Sequence, residues 1–248
     1  LIEGSLVIDM HGHSNSNEPV GMIPDRSRLL LAMDRAGIDM ACVFHSCDGR
    51  GNDVTARYVE GCTDRLIPFA FATPTMGDDA ERELRRTIDD GNGFRGIKVY
   101  PPSTPWPLHD DHWHPIYRFA DERSLVVLLH TGPEPNAEPK HLMQVALQFP
   151  GARFVVGHSG NVQPQRDQAI AAARAYPNVF LETSSTFREP GVIETLVSGA
   201  GADRVLFGSD QPLMDPRSQL GRIVTSRLAD EDKRKVLGEN ARRLLDLP

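Results

Sequence analysis

Short apolar runs of β type alternate with longer amphipathic stretches along this chain, and the alternation recurs eight times. The runs are Leu6–Asp9, Met40–His45, Ile67–Ala72, Gly96–Tyr100, Leu125–His130, Arg153–His158, Val179–Glu182 and Val205–Gly208. Each passes into polar or Gly/Pro-containing sequence and then into a helical pattern. Between Asp25 and Ala36, Leu29, Leu30, Met33 and Ala36 fall on one helical face. His114–Arg123 carries Pro115 in its first turn, where a backbone N–H is not needed. A ninth helix over Asp230–Leu245 closes the chain, with Val236, Leu237, Leu244 and Leu245 on its apolar side. Markers at the ends of the eight runs, from His11 to Asp210, follow one another at 24 to 34 residues, close to the ~30 residues of one βαβ unit. Eight such units with right-handed crossovers predict an α/β fold, a single (β/α)8 TIM barrel with an extra C-terminal helix. A doubly wound open sheet fits the alternation as well, but has no need of chemistry at every strand end. No linker or low-complexity segment interrupts the pattern, so residues 1–248 read as one domain.

Composition narrows the function classes. Of 248 residues 40% are hydrophobic, enough for a sizeable core, and 27 Lys and Arg against 34 Asp and Glu give a net charge of −7. Such an acidic chain has no overall attraction for phosphate backbones or anionic lipid, so neither nucleic acid nor a membrane is an expected partner. The longest uninterrupted apolar runs, such as Leu29–Met33 and Met40–Phe44, fall well short of a membrane span or a signal peptide core. Cys42, Cys47 and Cys62 form no Cys-x-x-Cys pair and read as reduced thiols of a cytoplasmic protein.

The chemistry gathers at strand ends. With alternate side chains pointing into and out of a barrel, Asp9, His11 and His13 share one parity with Val7. Lys98 faces inward between the outward Ile97 and Val99. His130 goes with Val126 and Leu128, His158 with Val156, and Asp210 with Leu206 and Gly208. Four histidines, a lysine and an aspartate thus converge on the C-terminal mouth, where barrel enzymes keep their active sites. Imidazoles and a carboxylate around an open cavity suit a catalytic divalent metal, and His-x-His on one strand puts two rings on the same side of one ion. Any one of these residues alone reads as readily as a hydrogen-bonded core residue; their joint placement is what points to a metal.

Ile8-Asp9-Met10-His11-Gly12-His13, Gly96-Ile97-Lys98-Val99, Leu128-Leu129-His130-Thr131-Gly132, Gly157-His158-Ser159-Gly160 and Phe207-Gly208-Ser209-Asp210 resemble, in order, the motif series of the amidohydrolase superfamily. More narrowly, the chain is similar to the amidohydrolase-related (amidohydrolase 2) branch that contains aminocarboxymuconate-semialdehyde decarboxylase. The tail Val236–Ala241 resembles that branch's closing helix. The resemblance implies that His11, His13 and His130 ligate the main metal, and that Asp210 completes the site and holds the attacking water. In mononuclear members the histidine at the position of His158 is an acid/base group. In binuclear members it binds a second ion and a lysine at the position of Lys98 is carbamylated as a bridge. One Zn²⁺ with His158 as acid/base is the expectation, two ions with carbamylated Lys98 the alternative. Tyr100 departs from the branch, where a histidine often precedes the proline.

Metal-bound hydroxide attacking a C–N or C–O bond of a small, carboxylated molecule makes a hydrolase the expected activity. A non-oxidative decarboxylase using the same ligands is the alternative, and a non-catalytic ligand-binding barrel a remote one. Lys98 is a candidate anchor for a substrate carboxylate, and Asp9 a candidate to orient a ligand histidine or cap the strand end. The proline-rich stretch from Tyr100 to His112 reads as a stiff loop over the mouth, with Tyr100 and Trp106, and Arg188 from a later loop, as pocket candidates. Arg50 is a further candidate anion anchor. His45 and Glu182 end strands two and seven, where cavity-lining and core roles are equally open. His109, His112 and His114 read as solvated or capping. Gly157-His158-Ser159-Gly160 is one residue short of a serine nucleophile elbow, and Gly199-Ala200-Gly201 lacks a third glycine and enters a strand, against a dinucleotide site. A small molecule is the expected partner; a homodimer is common in the branch, although no stretch marks an interface.

Overall fold

The computed structural model describes residues 2–14, 25–45, 51–91, 93–185 and 189–248. Eight parallel strands, β1 (Ile8–His13), β2 (Met40–Phe44), β3 (Leu66–Phe71), β4 (Gly96–Val99), β5 (Val126–His130), β6 (Arg153–Gly157), β7 (Val179–Glu182) and β8 (Val205–Leu206), pair in sequential order. The seam between β8 and β1 is bridged just past the short β8: Met10 N–H donates to Phe207 O at 2.9 Å, Asp210 N–H to His11 O at 2.9 Å and His13 N–H to Gln211 O at 2.8 Å. The result is the expected α/β TIM barrel. Helices α1 (Arg26–Ala36), α2 (Gly51–Val59), α3 (Asp79–Leu84), α4 (His114–Glu122), α5 (Leu142–Gln148), α6 (Gln165–Ala175), α7 (Val192–Ala200) and α8 (Pro216–Val224) fill the crossovers. The closing helix is realised as α9 (Asp230–Arg234) and α10 (Asn240–Leu244), joined by a widened turn over Lys235–Glu239. Among the described residues no helix is long and apolar enough to cross a membrane.

Local chemistry sets the helix limits. Asp25 caps α1 by accepting from Ser27 N–H, and Gly37 ends it at φ 74°, a left-handed conformation that a side chain would disfavour. Asp215 caps α8 in the same way, with Pro216 in the first turn.

Two apolar shells hold the barrel. The inner one packs Ile8, Met10, Cys42, Phe44, Ile67, Phe69, Val126, Leu128, Val155 and Leu206, and α10 plugs it with Ala241 and Leu244. The outer one joins strand residues such as Val7, Ala41, Val43, Ile97, Val99, Val156 and Phe207 to the helices. Burying these faces at roughly 25 cal/mol per Å² is the main favourable term of the fold. The shells confirm the inward direction of Lys98 and His130, and they correct two expected parities. Val7 faces out and Ile8 and Met10 face in, because β1 carries a bulge: Asp9 pairs with Ala41, but Gly12 pairs with Val43, so three steps on β1 match two on β2. Val156 also faces out, so strand alternation does not bring His158 inward.

Candidate metal centre

The bulge is what turns the β1 motif into a site. One extra residue reverses the alternation, so His11 and His13 both enter the mouth above the inward Met10. His158 arrives by a different device: β6 ends at Gly157, and His158 and Ser159 take φ values of 63° and 45°, which swing the imidazole into the mouth. Asp210 likewise sits at φ 64° beyond β8. Left-handed backbone at three non-glycine positions costs of order 1–3 kcal/mol each, a strain that concentrates at functional sites.

The side chains interlock in one buried cluster. Asp210 Oδ1 lies 2.9 Å from His13 Nε2 and 3.5 Å from His11 Nε2. Lys98 Nζ lies 3.2 Å from His11 Nε2 and stands over the Phe44 ring, 4.6 Å from its centroid. His11 Nδ1 is 2.9 Å from Glu182 Oε2. His158 Nε2 meets His130 Nδ1 at 3.0 Å, and its Nδ1 meets Ser184 Oγ at 2.9 Å. Ser185 Oγ donates to Asp210 Oδ2 at 2.8 Å. Burial drives the imidazoles of His11 and His130 well below their ordinary pKa, aided by Lys98 and by His158 respectively, and takes His158 to about 4. Burial lowers the Lys98 ammonium to about 8 against the pull of Asp210 and Glu182. Burial also works to raise Asp210, but the facing His11, His13 and His158 outweigh it and hold that carboxyl well below the usual range.

Neutral imidazoles beside an ionised carboxylate are what a divalent cation requires. Among the described residues two sets of three side chains each bring their ligand atoms within 4.8 Å of one another: His11, His13 and Asp210, and His11, His158 and Glu182. His130, expected as a ligand, stands beside these sets, in contact with His158. Its ring lies 4.7 Å from that of Tyr100, which therefore does reach the site. Trp106 stacks on His112 at 4.3 Å, and its carbonyl accepts from Trp113 Nε1. His109 stacks on His141, and His112 binds the capping Asp110. Arg188, Arg50 and Cys47 lie outside the described residues.

Glu182 is the residue whose part the sequence left most open. It is fully buried, and Gly208, two residues past the end of β8, makes its position possible: a Cβ there would collide with the carboxylate. Gly208→Ala is expected to cost about 1–3 kcal/mol through this overpacking, seen as a lower denaturant midpoint. An unchanged midpoint would mean that Glu182 has room to move aside.

A sequence profile of the amidohydrolase family matches residues 8–247. The chain belongs to that family. It is an enzyme of the amidohydrolase superfamily, whose members bind a divalent metal, and the resemblance to the amidohydrolase-related branch holds. Gamma-resorcylate decarboxylase of Rhizobium sp. (strain MTP-10005) is 26% identical over an alignment covering 97% of this chain and 85% of that protein. The 2-amino-3-carboxymuconate-6-semialdehyde decarboxylase of Caenorhabditis elegans is 28% identical over 40% of this chain and 25% of its own length. The crystal structure of 2,6-dihydroxybenzoate decarboxylase from Rhizobium superposes with a TM-score of 0.78, covering 98% of each chain at 20% identity, a likeness of fold. These relatives overturn the expectation of a hydrolase. The ligand motifs are shared by both reaction types, so the ligands alone had no power to choose between them.

Proposed function

We propose that this chain is a metal-dependent, non-oxidative decarboxylase of a small unsaturated carboxylate, with a hydroxylated aromatic acid as the favoured class. The observation that carries the reading is the alignment of a gamma-resorcylate decarboxylase along 97% of the chain. The chemistry of the cluster supports it. Loss of CO₂ breaks one C–C bond, leaves the electron pair on the ring carbon and fills that position with a proton, so it needs neither an oxidant nor an attacking water. His11, His13 and Asp210 would hold the cation, with His130 beside them, and a set of imidazoles and one carboxylate favours a single Zn²⁺. When bound, the ion supplies Lewis-acid stabilisation of charge on substrate oxygens. Lys98, at the face of Phe44, is placed to pair with the anionic substrate, and Tyr100 offers it an aromatic wall. Asp210 and His158 are the groups placed to take up and return the proton.

The test uses carboxyl-¹³C-labelled 2-hydroxybenzoates and conjugated enoic acids with the Zn²⁺-loaded enzyme in D₂O. The expected result is ¹³CO₂ together with one deuterium at the vacated carbon, abolished by a chelator and restored by the ion. Cleavage of esters, lactones or amides with no CO₂ from any acid would overturn the reading.

A further inference from the structure

We infer that Glu182 is a positioning residue that sets the tautomers of His11 and His158 together, so that His11 presents an Nε2 lone pair to Asp210 and Lys98 in the mouth of the barrel and His158 presents one toward His130. The inference rests on the decarboxylase reading only in taking a cation as what the His11 lone pair serves and a proton as what the His158 lone pair serves. Glu182 ends β7 with no exposed surface. Its Oε2 lies 2.9 Å from His11 Nδ1 and accepts from the backbone N–H of His158 at 3.1 Å and from the Ser184 hydroxyl at 2.7 Å, while Oε1 accepts from Ser184 N–H. Three donors besides the His11 ring already occupy both oxygens of this buried carboxyl group, which are the surroundings of a carboxylate with no hydrogen to give. The His11 nitrogen facing it must therefore carry the proton, and Nε2 is left as a lone pair. The opposite side of the ring agrees: Lys98 Nζ, 3.2 Å from Nε2, has only protons to offer.

The same carboxylate reaches His158 through a serine. The Ser184 hydroxyl proton is committed to Glu182, so toward His158 Nδ1, at 2.9 Å, the oxygen accepts. Nδ1 of His158 thus carries the proton and Nε2 is the lone pair. The backbone bond from His158 N–H to Oε2 anchors the left-handed residue that carries the ring. One buried carboxylate so orients two imidazoles from different strands, the arrangement by which carboxylate–histidine pairs raise ligand basicity and affinity for a metal.

Two readouts independent of turnover test this. In metal-free protein labelled with ¹⁵N-histidine, long-range ¹H–¹⁵N spectra are expected to show His11 and His158 protonated at Nδ1, with resonances assigned by single His→Gln variants. Glu182→Gln is expected to mix the tautomers of His11 and to weaken Zn²⁺ binding, measured by chelator competition, about 10- to 100-fold. Ser184→Ala is expected to mix the tautomers of His158 alone and leave the Zn²⁺ affinity in place. Unaltered His11 tautomer and Zn²⁺ affinity in Glu182→Gln would overturn the inference. Should that variant not fold, an unaltered His158 tautomer in Ser184→Ala would do so. A wild-type chain that binds no Zn²⁺ would sink the metal reading, while the tautomer spectra would still decide the part of Glu182.

Discussion

Replacing His11 by alanine is expected to empty the cation site and lower turnover about 10³-fold or more. His11 is the one residue common to both sets of clustered ligand atoms. Its Nε2 faces Asp210 and Lys98, while its Nδ1 is held by Glu182. Without it only His13 and Asp210 remain of the first set, too few for a catalytic ion, which draws on three protein ligands. Lewis-acid stabilisation is worth several kcal/mol, and each 1.36 kcal/mol is a factor of ten in rate. The loss also takes the imidazole partner of Lys98 Nζ in buried surroundings and one of the three partners of Glu182 Oε2. His112→Ala is the control: that imidazole is 55% exposed and stacks on Trp106 in a surface loop, so its loss is expected to leave metal content and turnover unchanged. Metal stoichiometry by mass spectrometry, read beside CO₂ release, checks both variants. A His11→Ala chain that keeps its ion and its rate would remove His11 from the centre.

The barrel was legible because its repeat is long and regular, and because Ile97–Lys98–Val99 and Val126–Leu128–His130 obey strict alternation. The site was legible as a set of residues, less so as a geometry. His11 and His13 reach the mouth through a bulge, which sequence parity alone does not register. His158 gets there by left-handed backbone past the end of β6, at two positions that are not themselves glycine although Gly157 and Gly160 flank them. Glu182 looked like one more polar end to an apolar run. Its meaning comes from partners 24 and 171 residues away and from the space left by Gly208. Such non-local fit has no local signature. The reaction was misread for another reason: the metal ligands are common to hydrolases and decarboxylases, and the difference lies in what the loops let in.

Asp9→Ala is expected to be the most destabilising of these changes, at about 3–5 kcal/mol. Asp9 is fully buried where β8 meets β1. Its Oδ1 accepts from the backbone N–H groups of His11 at 3.0 Å and Ser209 at 2.9 Å; its Oδ2 accepts from the Ser209 hydroxyl and from Gln211 Nε2 at 2.8 Å. Alanine would leave all four donors without that acceptor, at the seam that joins His11 and His13 to Asp210, so cation affinity should fall together with stability. Asp9→Asn keeps Oδ1 for the two backbone groups and should lose less. The two variants also separate shape from charge. Burial, against the hydrogen bonds Asp9 receives, raises its pKa from 3.8 to about 7. The native state then binds the proton more tightly than the unfolded chain, so this contribution is complete below about pH 4 and is lost as pH rises through about 7. Once protonated, Asp9 can donate to Ser209 Oγ only if that hydroxyl turns its own hydrogen away. Chemical denaturation of wild type and Asp9→Asn from pH 5 to pH 8 should therefore show the wild type losing ground to the variant as pH rises. A difference between them that stays flat with pH would mean that Asp9 is already a carboxylate at the lower end, its four donors outweighing the cost of burying its charge.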